Sequence, residues 1–181
     1  LGIRRHLQAL PLPVLLENLA GVYAPLWAGA TCVTGPLAGV GLTGSSAFDP
    51  LVLHDAITRV QAQSVILLPQ MLHGYALWLA ATGQVAPASL QLVAVGGARL
   101  GANALRAARA VGLPACEGYG LSEGASVQTL NLPGCARDGS AGRALPHAQI
   151  RVAADEEIEI AGKLFLGYLG SDTPTPTWKS L

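Results

Sequence analysis

Three short apolar runs, each stopped by glycine or proline, constrain this chain more than any other feature. Residues 64–68 are aliphatic and partly β-branched and end at Pro69; residues 90–95 end at Gly96-Gly97; residues 113–117 run into Gly118. Runs of this length without polar alternation suit strands covered on both faces. Helical segments lie between them. Asp49-Pro50 opens one as N-cap and first-turn proline and carries it to about Gln61. Pro69 starts a second, to about Ala81, and residues 102–111 form an Ala-rich third. Strands alternating with helices predict an α/β fold, a mostly parallel sheet with helices on both faces. Upstream, residues 15–28 read as a buried helix, 30–34 as a strand, and the Gly- and Ser-rich 35–46 as a loop.

Ligands of parallel sheets sit beyond the C-terminal ends of the strands. Two such ends are Gly-rich here, Gly96-Gly97-Ala98 and Glu117-Gly118-Tyr119-Gly120-Leu121-Ser122-Glu123-Gly124, and they are expected to converge on one ligand. The second stretch carries the chemistry. A tight turn at its glycines lets backbone approach a ligand closely. Tyr119 offers a flat face to a base and Ser122 a hydroxyl to a phosphate oxygen. Glu123 is a hard oxygen ligand of the kind Mg²⁺ prefers. The same residues admit a different chemistry. Gly120-Leu121-Ser122-Glu123-Gly124 fits G-x-S-x-G, the nucleophile elbow of Ser hydrolases, and Asp138 and His147 follow in the order Ser, acid, His. Against it, acid and His fall within one short segment punctuated by Pro and Gly rather than on separate later strands.

Composition narrows the partners. Lys+Arg and Asp+Glu number 11 each and form no basic stripe, which argues against nucleic acid. Only 12% of residues are charged and the mean hydropathy is +0.43, against about a quarter charged in ordinary soluble domains. Part of this surface is therefore expected to be covered by further protein. Cys32, Cys116 and Cys135 are an odd, unclustered set, which suits free thiols in a reducing cytoplasm. The four histidines are scattered and suggest no zinc site. The apolar stretch 10–33 is about long enough to cross a bilayer, but Glu17, Asn18 and three prolines interrupt it. The start of the chain lacks a signal-peptide pattern. Arg4, Arg5 and His6 read as a solvated cluster, Arg99, Arg106 and Arg109 as the wet side of a helix, and the three tryptophans as packing. Beyond Pro133 the pattern turns antiparallel, with alternating residues 149–152 and 158–160 around an acidic turn at 153–157. The Thr- and Pro-rich 171–177 reads as an exposed loop.

Taken in order, five blocks resemble the adenylate-forming (AMP-binding) enzymes, which include acyl-CoA synthetases, luciferases and the adenylation domains of peptide synthetases. Leu10-Pro11-Leu12, with Leu26-Trp27-Ala28-Gly29-Ala30, is similar to their "LPL…L-x-x-G-A" region. Val95-Gly96-Gly97-Ala98-Arg99-Leu100 resembles "GGAPL", and residues 117–123 resemble "x-G-Y-G-L-[TS]-E". Gly139-Ser140-Ala141-Gly142-Arg143 resembles "GSVGRP". Glu157-Ile158-Glu159-Ile160 with Gly162, then Leu166-Gly167-Tyr168-Leu169, resembles "GEI-x-[IV]-x-G…GYL". The "YGLSE" wording and Glu17 soon after Leu-Pro-Leu lean towards long-chain fatty-acid–CoA ligases.

The resemblance implies roles. Gly96, Gly97 and Ala98 would pass along an adenine, Tyr119 would stack on it, and Gly118 and Gly120 would let the ring and the α-phosphate approach. Ser122 would bond phosphate and Glu123 would hold Mg²⁺, and these two are the candidate catalytic residues. The acyl chain would lie near Val14, Gly118 and Ala125. Val14 stands where many members carry His, and a Val cannot donate a hydrogen bond. Ala144 and Glu156 depart from the usual Pro and Gly at two loop positions. The implied substrates are ATP with Mg²⁺, a carboxylic acid (a fatty acid by the leaning above) and coenzyme A, with cytoplasmic localisation and peripheral membrane contact suiting a fatty-acid ligase. Residues 1–133 would be an α/β subdomain and 134–181 the start of a barrel-like one. The family's phosphate loop, its "TGD" block and its C-terminal domain with the catalytic Lys have no counterpart in the sequence. The chain is therefore expected to be an internal piece of a ligase, inactive alone and working with the rest of that chain. The alternatives are an enzyme loading a carrier protein, a Ser hydrolase using Ser122, and a non-catalytic nucleotide-binding remnant.

Overall fold

The computed structural model describes residues 1–44, 47–137, 139–170 and 178–180. In chain order the strands are β1 (Arg5–Leu7), β2 (Thr31–Val33), β3 (Leu42–Thr43), β4 (Ala47–Phe48), β5 (Ser64–Leu67), β6 (Leu92–Val95), β7 (Ala115–Leu121), β8 (Ser126–Leu130), β9 (Arg143–Ala144), β10 (Ala148–Val152), β11 (Ile158–Gly162) and β12 (Lys179–Ser180). The helices are a π-helix (Glu17–Tyr23) running directly into α1 (Ala24–Trp27), then α2 (Pro50–Val60), α3 (Pro69–Thr82) and α4 (Ala102–Ala110).

One sheet of seven strands dominates, in the order β2-β1-β5-β6-β7-β8-β9. It is parallel from β2 to β7, and β8 and β9 add antiparallel to that edge. A smaller antiparallel sheet holds β10-β11-β12. The mostly parallel α/β fold with short antiparallel strands is thus the one the sequence predicts. β5 is buried at every position, and the core joins it to Leu53 and Ile57 of α2, Leu72, Tyr75 and Leu79 of α3, and Leu105 of α4. Asp49 caps α2 as expected: its Oδ1 accepts the backbone N–H of Leu51 at 3.0 Å.

Four expectations are corrected. Of the expected solvated cluster Arg4, Arg5 and His6, the two arginines are exposed, but His6 is only 2% exposed and sits in β1 between β2 and β5. The loop 35–46 contains a 3₁₀ turn at Leu37–Val40 and the strand β3. Antiparallel pairing begins at Ser126, before Pro133. The helix over 15–28 is real, but its middle is π-helical and its outer face is open, with Trp27 95% exposed. Pro25 explains the π geometry. Its nitrogen cannot donate, and in a regular α-turn its ring would press on the Gly21 carbonyl four residues back. The Cys32 thiol lies 3.5 Å from the Gly21 oxygen and donates to it instead. The 171–177 segment lies outside the described residues.

Candidate active site

Strands β6 and β7 are adjacent and parallel, so their C-terminal ends lie side by side. The Glu117 carboxylate fixes their relation: its Oε1 accepts the Leu100 N–H at 3.0 Å and so ties the turn after β6 to β7. A cavity of about 220 Å³ opens at these ends. Gly96, Gly97, Gly118, Tyr119, Gly120, Ser122 and Val14 all line it. The two Gly-rich strand ends therefore converge, as the sequence predicts. Ala98, Glu123 and Ala125 lie outside the lining.

The glycines act differently from the expected tight turn. Gly118, Tyr119 and Gly120 continue β7, and the turn comes only at Ser122–Gly124, a single 3₁₀ turn. What the glycines permit is close pairing with β8. A Cβ on Gly120 would run into the Ser126 carbonyl, and one on Gly118 would stand 2.9 Å from the Thr129 carbonyl oxygen. Gly97 has φ +88°, a conformation that glycine adopts at little cost.

Past the turn, Glu123 reaches the segment between β11 and β12. Its Oε1 accepts the Tyr168 hydroxyl at 2.6 Å, and its backbone carbonyl accepts the Phe165 N–H at 2.8 Å. The hydrogen bond to Glu123 pushes the Tyr168 phenol above its usual range. Burial, and then the nearby Glu123 carboxylate, push Tyr119 up as well. Tyr119 therefore stays neutral at physiological pH and presents its ring and an intact hydroxyl.

No group of three or more His, Cys, Asp or Glu able to hold a metal exists among the described residues. Magnesium bound with a nucleotide needs only one or two carboxylates, with phosphate oxygens and waters completing its shell. Glu123, the carboxylate directly after Ser122, is compatible with that donor set while the Tyr168 hydroxyl holds one of its oxygens. The hydrolase arrangement fits less well. His147 Nε2 lies 2.8 Å from the Val127 carbonyl and bonds to it, Ser122 leads into an antiparallel strand rather than a helix, and Asp138 lies outside the described residues.

A family model described as AMP-binding enzyme matches residues 4–168. The chain belongs to the AMP-binding enzyme family. Solved structures share the fold of this family member. The anthranilate CoA ligase AuaEII, in complex with anthranoyl-AMP, superposes with a TM-score of 0.82 at 21% identity, over 99% of this chain and 37% of its own. The o-succinylbenzoate CoA synthetase MenE from Bacillus subtilis, in complex with ATP and magnesium ion, gives 0.77 at 23% identity, over 99% and 39%. The amide bond synthetase Mcba from Marinactinospora thermotolerans, as its K483A mutant, gives 0.78 at 25%, over 99% and 38%. The chain spans less than half the length of these structures.

Sequence reasoning missed part of the wall. Leu15, Leu16, Ile66, Ser126, Val127 and Leu130 also line the cavity. They come from three separate segments and carry no signal beyond being apolar or small. Tyr168 stands within the Gly-Tyr-Leu block, but its partner Glu123 is 45 residues away and only the tertiary structure pairs them.

Proposed function

We propose that this chain is part of an ATP-dependent acid–thiol ligase acting on an apolar carboxylic acid, in particular a fatty acid, with coenzyme A as acceptor. What supports the reading is the cavity that both Gly-rich strand ends line, with Tyr119, Ser122 and an apolar wall around it. The carboxylate oxygen attacks the α-phosphorus of ATP, the bond to the β-phosphate breaks, and pyrophosphate leaves. The thiol sulfur then attacks the acyl carbon, AMP leaves, and the thiol proton passes to solvent. Catalysis of this kind rests on positioning and on neutralising charge rather than on a covalent nucleophile.

In this proposal the backbone of Gly96, Gly97 and Ala98 runs along the adenine, and Tyr119 stacks on it. Gly118 and Gly120 leave room for the ring and the α-phosphate, and the Ser122 hydroxyl donates to a phosphate oxygen. Val14 lines the acyl end, with Gly118 and Ala125 beside it. Glu123 would hold Mg²⁺, which supplies charge neutralisation on the phosphates when bound. The reading divides the chain near Pro133 into an α/β subdomain and a barrel-like one, and places the activity in the cytoplasm, with peripheral membrane contact for a fatty-acid substrate. In the described residues no helix is long and apolar enough to cross a membrane.

The test is pyrophosphate release by the intact gene product with ATP, Mg²⁺, acetate through palmitate, and an aromatic acid for comparison. Acid-dependent release is expected, strongest with an aliphatic acid. Release with the aromatic acid alone would remove the fatty-acid assignment, and no release with any acid would overturn the ligase reading.

A further inference from the structure

Ser122 and Glu123 stand on a turn that its own sequence does not favour. Directly after it, Ala125 has φ +57° and Ser126 has φ +82°. This left-handed region is disfavoured for residues that carry a Cβ. Two such residues in succession persist only where the surroundings over-determine them.

The surroundings hold the turn in two ways. Gly124 is buried, its carbonyl accepts the Gln128 side-chain amide, and a Cβ on it would stand 3.0 Å from Cδ1 of Ile160, a fully buried residue of β11. The second hold comes from the segment after β11. The Phe165 N–H donates to the Glu123 carbonyl at 2.8 Å, and the Tyr168 hydroxyl donates to Glu123 Oε1 at 2.6 Å. One tetrapeptide thus grips both the backbone and the side chain of Glu123. Its two rings meet edge to face, with centroids 4.8 Å apart and planes at 68°, and so brace each other.

An ionised carboxylate has two oxygens and about four lone-pair sites. The Tyr168 hydroxyl takes one of these sites and thereby fixes the rotation of the group. A cation arriving at Glu123 meets a carboxylate that is already oriented. Support of the fold does not account for this bond. Tyr168 is 55% exposed, so losing its hydroxyl would leave no buried group unsatisfied.

We propose that Tyr168 is a positioning residue of the nucleotide site, whose hydroxyl presets the Glu123 carboxylate for Mg²⁺. The proposal rests on the ligase reading and adds to it a residue outside the cavity lining. Hydrogen-bond partners of a metal ligand typically contribute about 10- to 100-fold to metal affinity.

The experiment measures binding of Mn²⁺, the paramagnetic stand-in for Mg²⁺, to the intact gene product with ATP, by electron paramagnetic resonance. Tyr168→Phe should raise the Mn²⁺ dissociation constant by about tenfold or more, and leave ATP binding in EDTA unchanged. An unchanged Mn²⁺ affinity would overturn the proposal. So would an equal loss of ATP binding in EDTA, which is what mere support of the turn predicts. Glu123→Gln and the double variant complete a cycle. If Tyr168 acts through Glu123, adding Tyr168→Phe to Glu123→Gln changes Mn²⁺ affinity no further, and additive losses would refute the assignment. If the unaltered protein binds no ATP with or without the metal, the ligase reading itself fails, and the proposal with it.

Discussion

Nε2 of His6 lies 3.2 Å from Oε1 of Glu17, and Glu17 is completely buried. The other carboxylate oxygen accepts the Leu10 N–H at 3.1 Å. Strand β1, the segment after it and the π-helix are thus joined at one side chain. Gly21 makes the arrangement possible, because a Cβ there would collide with the Glu17 carboxylate. Removing one partner of such a buried set leaves the others without water or protein to bond. Glu17→Ala should therefore cost roughly 3–5 kcal/mol of stability. Glu17→Gln keeps an oxygen for Leu10 and should cost less. Urea denaturation of the two variants measures the difference, and equal losses would show that packing, not hydrogen bonding, is what Glu17 supplies.

Gly120→Ala should open the end of the β7–β8 ladder, since its Cβ has no space before the Ser126 carbonyl. Forced overpacking of this kind typically costs about 1–3 kcal/mol. Because Tyr119 and Ser122 flank this residue, the variant should also lose nucleotide affinity. Thermal denaturation with and without ATP checks both effects, and a melting temperature equal to the parent's would show that β8 can yield.

Tyr75 is fully buried on α3, and its hydroxyl is 2.9 Å from His54 Nδ1. Burial raises the phenol far above its usual value of about 10. The folded state therefore holds the proton more tightly than the unfolded chain. This contribution is fully present below about pH 10 and declines as the pH rises above it. Stability should fall with rising alkaline pH, and Tyr75→Phe should flatten that fall while costing about 1 kcal/mol at neutral pH for the lost hydrogen bond. Denaturation curves across the alkaline range give the slope for each protein, and parallel slopes would assign the effect to other groups.

Glu123→Gln, made in the intact gene product, should lower adenylate formation by roughly ten- to a hundredfold and weaken its Mg²⁺ dependence. Tyr168→Phe removes only the hydroxyl that donates to Glu123. It should change the Mg²⁺ concentration needed for half-maximal rate more than the maximal rate. An unchanged Mg²⁺ response in Glu123→Gln would take Glu123 out of the metal role.

Residues 65–67, 92–95 and 115–116 were legible as parts of buried parallel strands because their side chains are apolar on both faces. The cap at Asp49 and the proline starts of α2 and α3 were legible because caps depend on immediate neighbours. The meeting of the two Gly-rich strand ends followed from the same local signals, once parallel order placed them at one edge. All of these are local signals. Tertiary structure alone decided the rest. Arg4, Arg5 and His6 look like one charged surface cluster, but only the arginines are exposed, and His6 is buried in β1 where Glu17 and Ser64 supply partners for the imidazole. Gly118 and Gly120 suggest a turn, but a strand forms because β8 presses against them. The Tyr168–Glu123 bond likewise joins segments far apart in sequence. Periodicity and capping report what a residue does with its neighbours along the chain, whereas burial of a polar side chain depends on which distant group arrives to meet it.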